Sequence, residues 1–111
     1  MILLIIDDSR TIRDFLRKMF ESIFENIYEC EDGSEALNAY CMYLPSYVFM
    51  DVQMKIMDGI SATVELIKHF PEAKIIIISI FNGRTKEAAF KAGTIAYVNK
   101  ENLIELFDIV R

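Results

Sequence analysis

Apolar residues along this chain follow two alternating rhythms. Residues 2–6 form an unbroken apolar run, as a strand covered on both faces does. Ile12, Phe15, Leu16, Met19, Phe20 and Ile23 then recur at helical spacing, which predicts a helix with one buried stripe. Ser9 stands where an N-cap is needed. Residues 26–31 alternate Ile27, Tyr28 and Cys30 with polar positions, a pattern suited to an edge strand. Asp32-Gly33-Ser34 supplies turn and cap chemistry before a helix predicted over 35–43. Pro45-Ser46 then breaks the chain ahead of a strand over 47–50.

The second half repeats the alternation. Asp58-Gly59 marks a loop, and a helix follows to about residue 70, where Pro71 stops it. A strand is predicted over 74–79, a turn at Asn82-Gly83, and a helix over 85–92 closed by Gly93. The last strand covers 94–99, and Asn102-x-x-Glu105 has the form of a capping box for a final helix. Strict alternation of five strands and five helices implies right-handed crossovers and a doubly wound parallel α/β sheet with helices on both faces.

Composition narrows the picture. A chain of 111 residues, 53% hydrophobic, has enough apolar material for one cored domain over residues 1–111 and excludes disorder. The first apolar run ends at Asp7 and no other approaches membrane-spanning length. No basic leader with a cleavage site begins the chain, so a cytoplasmic protein without a membrane partner is expected. A formal net charge of −5 makes direct nucleic-acid binding unfavourable, because phosphate contacts need clustered Lys and Arg. Cys30 and Cys41 match no metal or redox spacing and read as reduced, buried, small hydrophobes.

Chemistry gathers where the strands end. Asp7 and Asp8 follow the first strand, Asp51 ends the third, Ser79 ends the fourth, and Lys100 follows the last. The carboxyl ends of parallel strands share one rim, where ligands bind. Two carboxylates about 4 Å apart repel by roughly 4 kcal/mol at an effective dielectric near 20. Three gathered acids therefore call for a counter-charge, and a hard divalent cation fits oxygen donors.

Taken together and in order, these pieces resemble a response-regulator receiver domain of two-component signalling over essentially the whole chain. The residues that carry the resemblance are Asp7-Asp8-Ser9, Met50-Asp51-Val52-Gln53-Met54 with Met57-Asp58-Gly59, Ser79, and the run from Ala92 to Lys100. The resemblance implies a flavodoxin-like sheet of order 2-1-3-4-5. It implies Asp51 as the acceptor of a phosphoryl group from a histidine kinase or phosphotransfer protein. Asp7, Asp8, Asp51 and the Gln53 carbonyl would hold Mg²⁺, Lys100 and Ser79 would contact phosphoryl oxygens, and Tyr97 would be a rotating switch beside Phe81, Arg84 and the last helix. The signal would pass to a downstream effector or output domain. Such a domain catalyses only its own aspartyl phosphorylation and dephosphorylation. A carboxylate nucleophile gives a reactive, reversible acyl phosphate, and preorganised positive charge is what phosphoryl transfer requires.

The chain departs from the family pattern at three positions. Lys55 stands where proline is usual, freeing the loop by about 0.4–1 kcal/mol of chain entropy and adding a cation near the acids. Ile80 replaces a small residue after Ser79 and is expected to narrow access for small phosphodonors. Glu101 replaces the proline usually joined to the lysine by a cis bond. A cis bond without proline costs about 3 kcal/mol, so a trans Lys100–Glu101 bond and an altered path for Lys100 are expected.

Other residues have plainer readings. Asp58 before Gly59 is a turn or helix cap, His69 a helix-end residue, and Met50, Met54 and Met57 packing. The final helix leaves few polar positions, with Ile109 outside its stripe. A truncated helix end and a homodimer face are the two readings. Rival functions are a degenerate receiver serving as a protein-interaction module and a phosphatase of the haloacid-dehalogenase type. The phosphatase needs Asp-x-Asp where this chain has Asp7-Asp8. A flavodoxin-like cofactor binder would need a hydroxyl- and glycine-rich loop after the first strand.

Overall fold

The computed structural model describes residues 1–80 and 83–111. Phe81 and Asn82, named above in the switch surface and a turn, lie outside the described residues. Strands β1 (Ile2–Ile6), β2 (Asn26–Cys30), β3 (Tyr47–Asp51), β4 (Ile75–Ser79) and β5 (Ala96–Asn99) form one parallel sheet of order β2-β1-β3-β4-β5. The crossovers carry α1 (Arg10–Phe20), α2 (Ala36–Tyr43), α3 (Gly59–His69) and α4 (Arg84–Ala92), and α5 (Glu105–Val110) follows β5. The expected architecture and order are present, with element ends moved by a residue or two.

Side-chain alternation along the strands builds two cores. Leu4, Ile6, Val48, Met50, Ile75 and Ile77 pack with Tyr40, Ala62, Leu66 and Ala89 of α2, α3 and α4. The intervening residues Leu3, Ile5, Phe49, Ile76, Ile78 and Val98 meet Leu16 and Phe20 of α1 and Leu106 and Val110 of α5. Phe20 centres this second layer, with ring centroids 5.1 Å from Phe49 and 4.7 Å from Phe107. No described helix is long and apolar enough to cross a membrane.

Local signals that need only neighbours behave as expected. Ser9 accepts the Ile12 amide at the start of α1, and Asp58 accepts the Ser61 amide at the start of α3. Gly93 ends α4 at φ 112°, where an added Cβ would also lie 2.9 Å from Ile67 Cγ1. His69 sits in the last turn of α3 with Nδ1 3.0 Å from the Glu65 carbonyl.

Four expectations are corrected. The Asn102/Glu105 capping box does not form, because the chain after β5 enters a 3₁₀ turn over Lys100–Asn102 capped by Asn99, and α5 begins without a side-chain cap. Asn102 is thereby inside a turn rather than ahead of free amides. Cys41 is exposed, since α2 turns Tyr40 inward and the next residue outward. Phe15 is 53% exposed, because the buried row of α1 runs through Arg13, Leu16 and Phe20. Ile109 packs against the second core, and the exposed large apolar residue of the last segment is Ile104, at 74% exposure.

Candidate functional site

The rim at the carboxyl ends of β1, β3 and β5 is built by strand parity. Asp51 ends β3 on the row of Phe49, Asp7 continues the row of Leu3 and Ile5, and Lys100 follows Val98 by two. All three therefore emerge on the α1/α5 side of the sheet. Lys100 Nζ lies 3.0 Å from Asp51 Oδ1 and 3.3 Å from Asp7 Oδ2. Asp7 and Asp51 are buried and Asp8 is exposed at the mouth. One oxygen from each of Asp7, Asp8 and Asp51 falls within 4.8 Å of the others.

The scaffold holds these groups by backbone. Asp7 Oδ1 accepts the Ser9 amide at 2.8 Å, so the residue that caps α1 also aims the first carboxylate. The Asp7 amide donates to the Cys30 carbonyl at 3.1 Å. Gly59 donates to the Val52 carbonyl at 2.8 Å, folding the loop after Asp51 back on itself.

Two contributors escape a linear reading of the chain. Arg13, buried on α1, donates through Nη1 to the Asp7 carbonyl at 2.7 Å and through Nε to Glu29 at 2.9 Å, with Glu31 at 3.7 Å from Nη2. Its signal was available, since residues 13, 16 and 20 share one helical row and Arg13 is charged within it. Asp32 accepts the Ser34 amide locally but also the Ile56 and Met57 amides at 2.9 and 3.0 Å. This carboxylate fastens the β2–α2 loop to the loop after Asp51. Only the local cap had a sequence signal.

Burial and charge set the electrostatics. Burial most of all, then the neighbouring Asp7, pushes the Asp51 carboxyl up to about 6 against the pull of Lys100. Burial likewise raises Asp7, opposed by the Ser9 amide and Lys100. Burial alone would lower the Lys100 ammonium, but Asp51 and Asp7 hold it above its usual range. For Asp32, burial works upward yet the Ile56, Ser34 and Met57 amides keep the carboxyl well below the usual carboxylate range. Burial, then Glu35, pushes the Cys30 thiol up to about 11, so it stays protonated and unreactive at neutral pH.

The donor set suits Mg²⁺. It offers hard oxygens from few carboxylates, and exposed Asp8 leaves an open side for the waters this ion retains. Gln53 lies exposed two residues beyond Asp51. Ser79 is buried at the end of β4, immediately after Ile78, the register partner of Asp51. Tyr97 is partly buried against the α2–α4 core and pairs with Ile77. The described residues contain no cis peptide bond, as expected at Lys100–Glu101, and Lys100 nonetheless reaches both carboxylates.

The raised Asp51 value has a stability consequence. Its folded value of about 6 lies above the ordinary aspartate value of about 4, so the folded state binds more protons between about pH 4 and 6. Metal-free protein should therefore lose stability as pH rises through that window. Asp51→Asn should melt higher than the parent at pH 7 without Mg²⁺, as read by thermal unfolding. Saturating Mg²⁺ at about a hundredfold over its Kd should add about 2.7 kcal/mol to the parent and much less to Asp51→Asn. A variant melting below the parent in chelator would contradict the electrostatic reading.

Known proteins match this chain in sequence and fold. A family model for the response regulator receiver domain matches residues 3–111. The chain is 42% identical over 99 residues to the chemotaxis protein CheY of Halobacterium salinarum, covering 87% of this chain and 82% of that protein. It is 30% identical over 102 residues to the transcriptional regulatory protein DegU of Brevibacillus brevis, covering 89% of this chain but 43% of that regulator. The response regulator TrrA of Thermotoga maritima, solved in complex with Mg²⁺ and BeF, superposes with a TM-score of 0.86 at 28% identity, covering 98% of this chain and 95% of that one. Fold, rim and sequence agree, and the chain belongs to the response regulator receiver domain family, the phosphoacceptor modules of two-component signalling.

Proposed function

We propose that Asp51 is the residue phosphorylated, by a histidine kinase or phosphotransfer protein in the cytoplasm, and that its new charge resets a face read by an effector or output domain. The observation that carries this is the Lys100 ammonium 3.0 Å from Asp51 Oδ1, with Asp7 and Asp8 beside it. An Asp51 oxygen attacks phosphorus, the new O–P bond replaces the donor's bond, and the leaving group keeps the electron pair. Lys100 is preorganised to balance charge on the transferring oxygens. Asp7, Asp8, Asp51 and the Gln53 carbonyl would hold Mg²⁺, which when bound supplies further positive charge to the phosphoryl oxygens. This chemistry modifies the protein itself and turns over no external metabolite.

Sheet parity supports a link between Ser79 and Tyr97. Ser79 lies on the row of Ile75 and Ile77, and Tyr97 pairs with Ile77 on the next strand. Both therefore belong to the α2–α4 face. A phosphoryl group on Asp51 would draw the Ser79 hydroxyl toward it, and Tyr97 would repack into the space released, a shift between two packings of one fold. The last helix commits Leu106 and Val110 to the core, while Ile104 just ahead of it and Phe15 of α1 stay exposed, which supports an apolar partner face there.

Beryllofluoride with Mg²⁺, a phosphoryl mimic, tests the reading by amide NMR. The intact protein should shift at Asp51, Ser79 and Tyr97, and Asp51→Asn should not respond. Shifts that bypass Ser79 and Tyr97 would remove the proposed coupling. Ile80 is 62% exposed, so it acts on the approach rather than the interior. Ile80→Ala should speed phosphorylation by small donors severalfold while leaving Mg²⁺ affinity unchanged. An unchanged rate would discard the steric role. A degenerate receiver would need a dismantled cradle, and Lys100 between Asp7 and Asp51 supports a working one.

A further inference from the structure

A cavity of about 180 Å³ adjoins the cluster, lined by Asp8, Glu31, Asp32, Lys55 and Ile56. It puts the chain's unusual lysine in one space with an acid of the proposed metal site. The placement is built rather than incidental. The two amides following Lys55, those of Ile56 and Met57, are fastened by the Asp32 carboxylate. That clasp offsets the freedom gained where the loop lacks proline. The other charges lining the cavity are partly spoken for, since Asp32 is committed to backbone amides and Glu31 faces Arg13 at 3.7 Å. Lys55 is the one cation among these lining residues, and it shares the exposed mouth with Asp8.

We infer that Lys55 is a specificity-determining residue of the acidic site, an exposed cation on a fastened loop that weakens Mg²⁺ binding in the free protein and favours it once a phosphoryl group is present. The inference rests on the proposed function. Its physics is charge balance. Asp7, Asp8 and Asp51 with Lys100 leave a modest negative surplus for a divalent cation, and Lys55 reduces it. A phosphoryl group restores the negative charge and gives the Lys55 ammonium a partner, so the metal and the phosphoryl group bind with greater mutual dependence.

The test is Mg²⁺ titration followed by amide NMR at Asp7 and Asp8, in low salt, with and without saturating beryllofluoride. Lys55→Gln should tighten Mg²⁺ binding to the free protein by about three- to tenfold, a screened charge–charge effect. The gain should shrink when beryllofluoride is present and close in about 1 M salt, where the Debye length is about 3 Å. Lys55→Arg, which keeps the charge, should behave as the parent. Equal Mg²⁺ affinity in the parent and Lys55→Gln would overturn the inference while leaving the proposed function standing. So would a gain that survives high salt or appears equally in Lys55→Arg. A parent protein that takes up no Mg²⁺ would overturn both.

Discussion

Replacing Lys100 with methionine should slow phosphotransfer to Asp51 by about 10²–10³-fold, the usual loss when one preorganised charge-stabilising donor is removed. It should also destabilise the metal-free protein by about 3 kcal/mol at neutral pH, as expected when one partner of a buried ionic cluster is deleted. The ammonium spans 3.0 Å to Asp51 and 3.3 Å to Asp7, both nearly fully buried. Without it each carboxyl is pushed further above the usual range. A raised carboxyl costs stability above its folded value and nothing below its unfolded value. The deficit of Lys100→Met should therefore be largest at pH 7 and shrink below about pH 5. Urea unfolding at both pH values measures this directly. A deficit that grows on acidification would mean that Lys100 acts through packing rather than charge. Lys100→Arg should recover part of the stability but little of the rate, because the planar guanidinium cannot reproduce a compact point charge between two acids.

Gly59→Ala should be nearly as damaging, though residue 59 carries no reactive group. A Cβ there would fall on the carbonyl oxygen of Asp51 and lie 2.9 Å from Met50 Cγ. Both neighbours are buried and belong to β3, so neither yields easily. Overpacking of this kind costs about 3 kcal/mol. Relief by movement would displace Asp51 itself and weaken the 2.8 Å Gly59–Val52 hydrogen bond that folds back the following loop. The expected result is a lower melting temperature together with weakened Mg²⁺ binding. If the alanine variant matched the parent in both, the close approach at Gly59 would not govern the acceptor strand.

How much of this was legible follows from the range of each interaction. The strands and the gathering of Asp7, Asp51 and Lys100 at one rim were readable because parallel topology brings strand ends together, whereas the strand order came from the family resemblance. Ser9 and Asp58 were readable because a cap bonds an amide three residues away. Arg13 was passed over because its partners, the Asp7 carbonyl just after β1 and Glu29 on β2, lie outside its own helix. Asp32 was half read, because its bonds to Ile56 and Met57 span 24 and 25 residues. Phe15 and Cys41 were placed inside because hydrophobicity alone does not say where a buried row stops. The Asn102 cap failed because a 3₁₀ turn displaced the start of α5.

Borohydride reduction of phosphorylated protein, followed by peptide mass spectrometry, tests the assignment of the acceptor most directly. Reduction converts a phosphorylated aspartate to homoserine at its own position. After incubation with a phosphorylated histidine kinase and Mg²⁺, homoserine is expected at residue 51 and absent when the metal is chelated. Homoserine at Asp7 or Asp8 instead, or labelling of residue 51 undiminished by chelator, would contradict the assignment of Asp51 as the acceptor in a magnesium-dependent cradle.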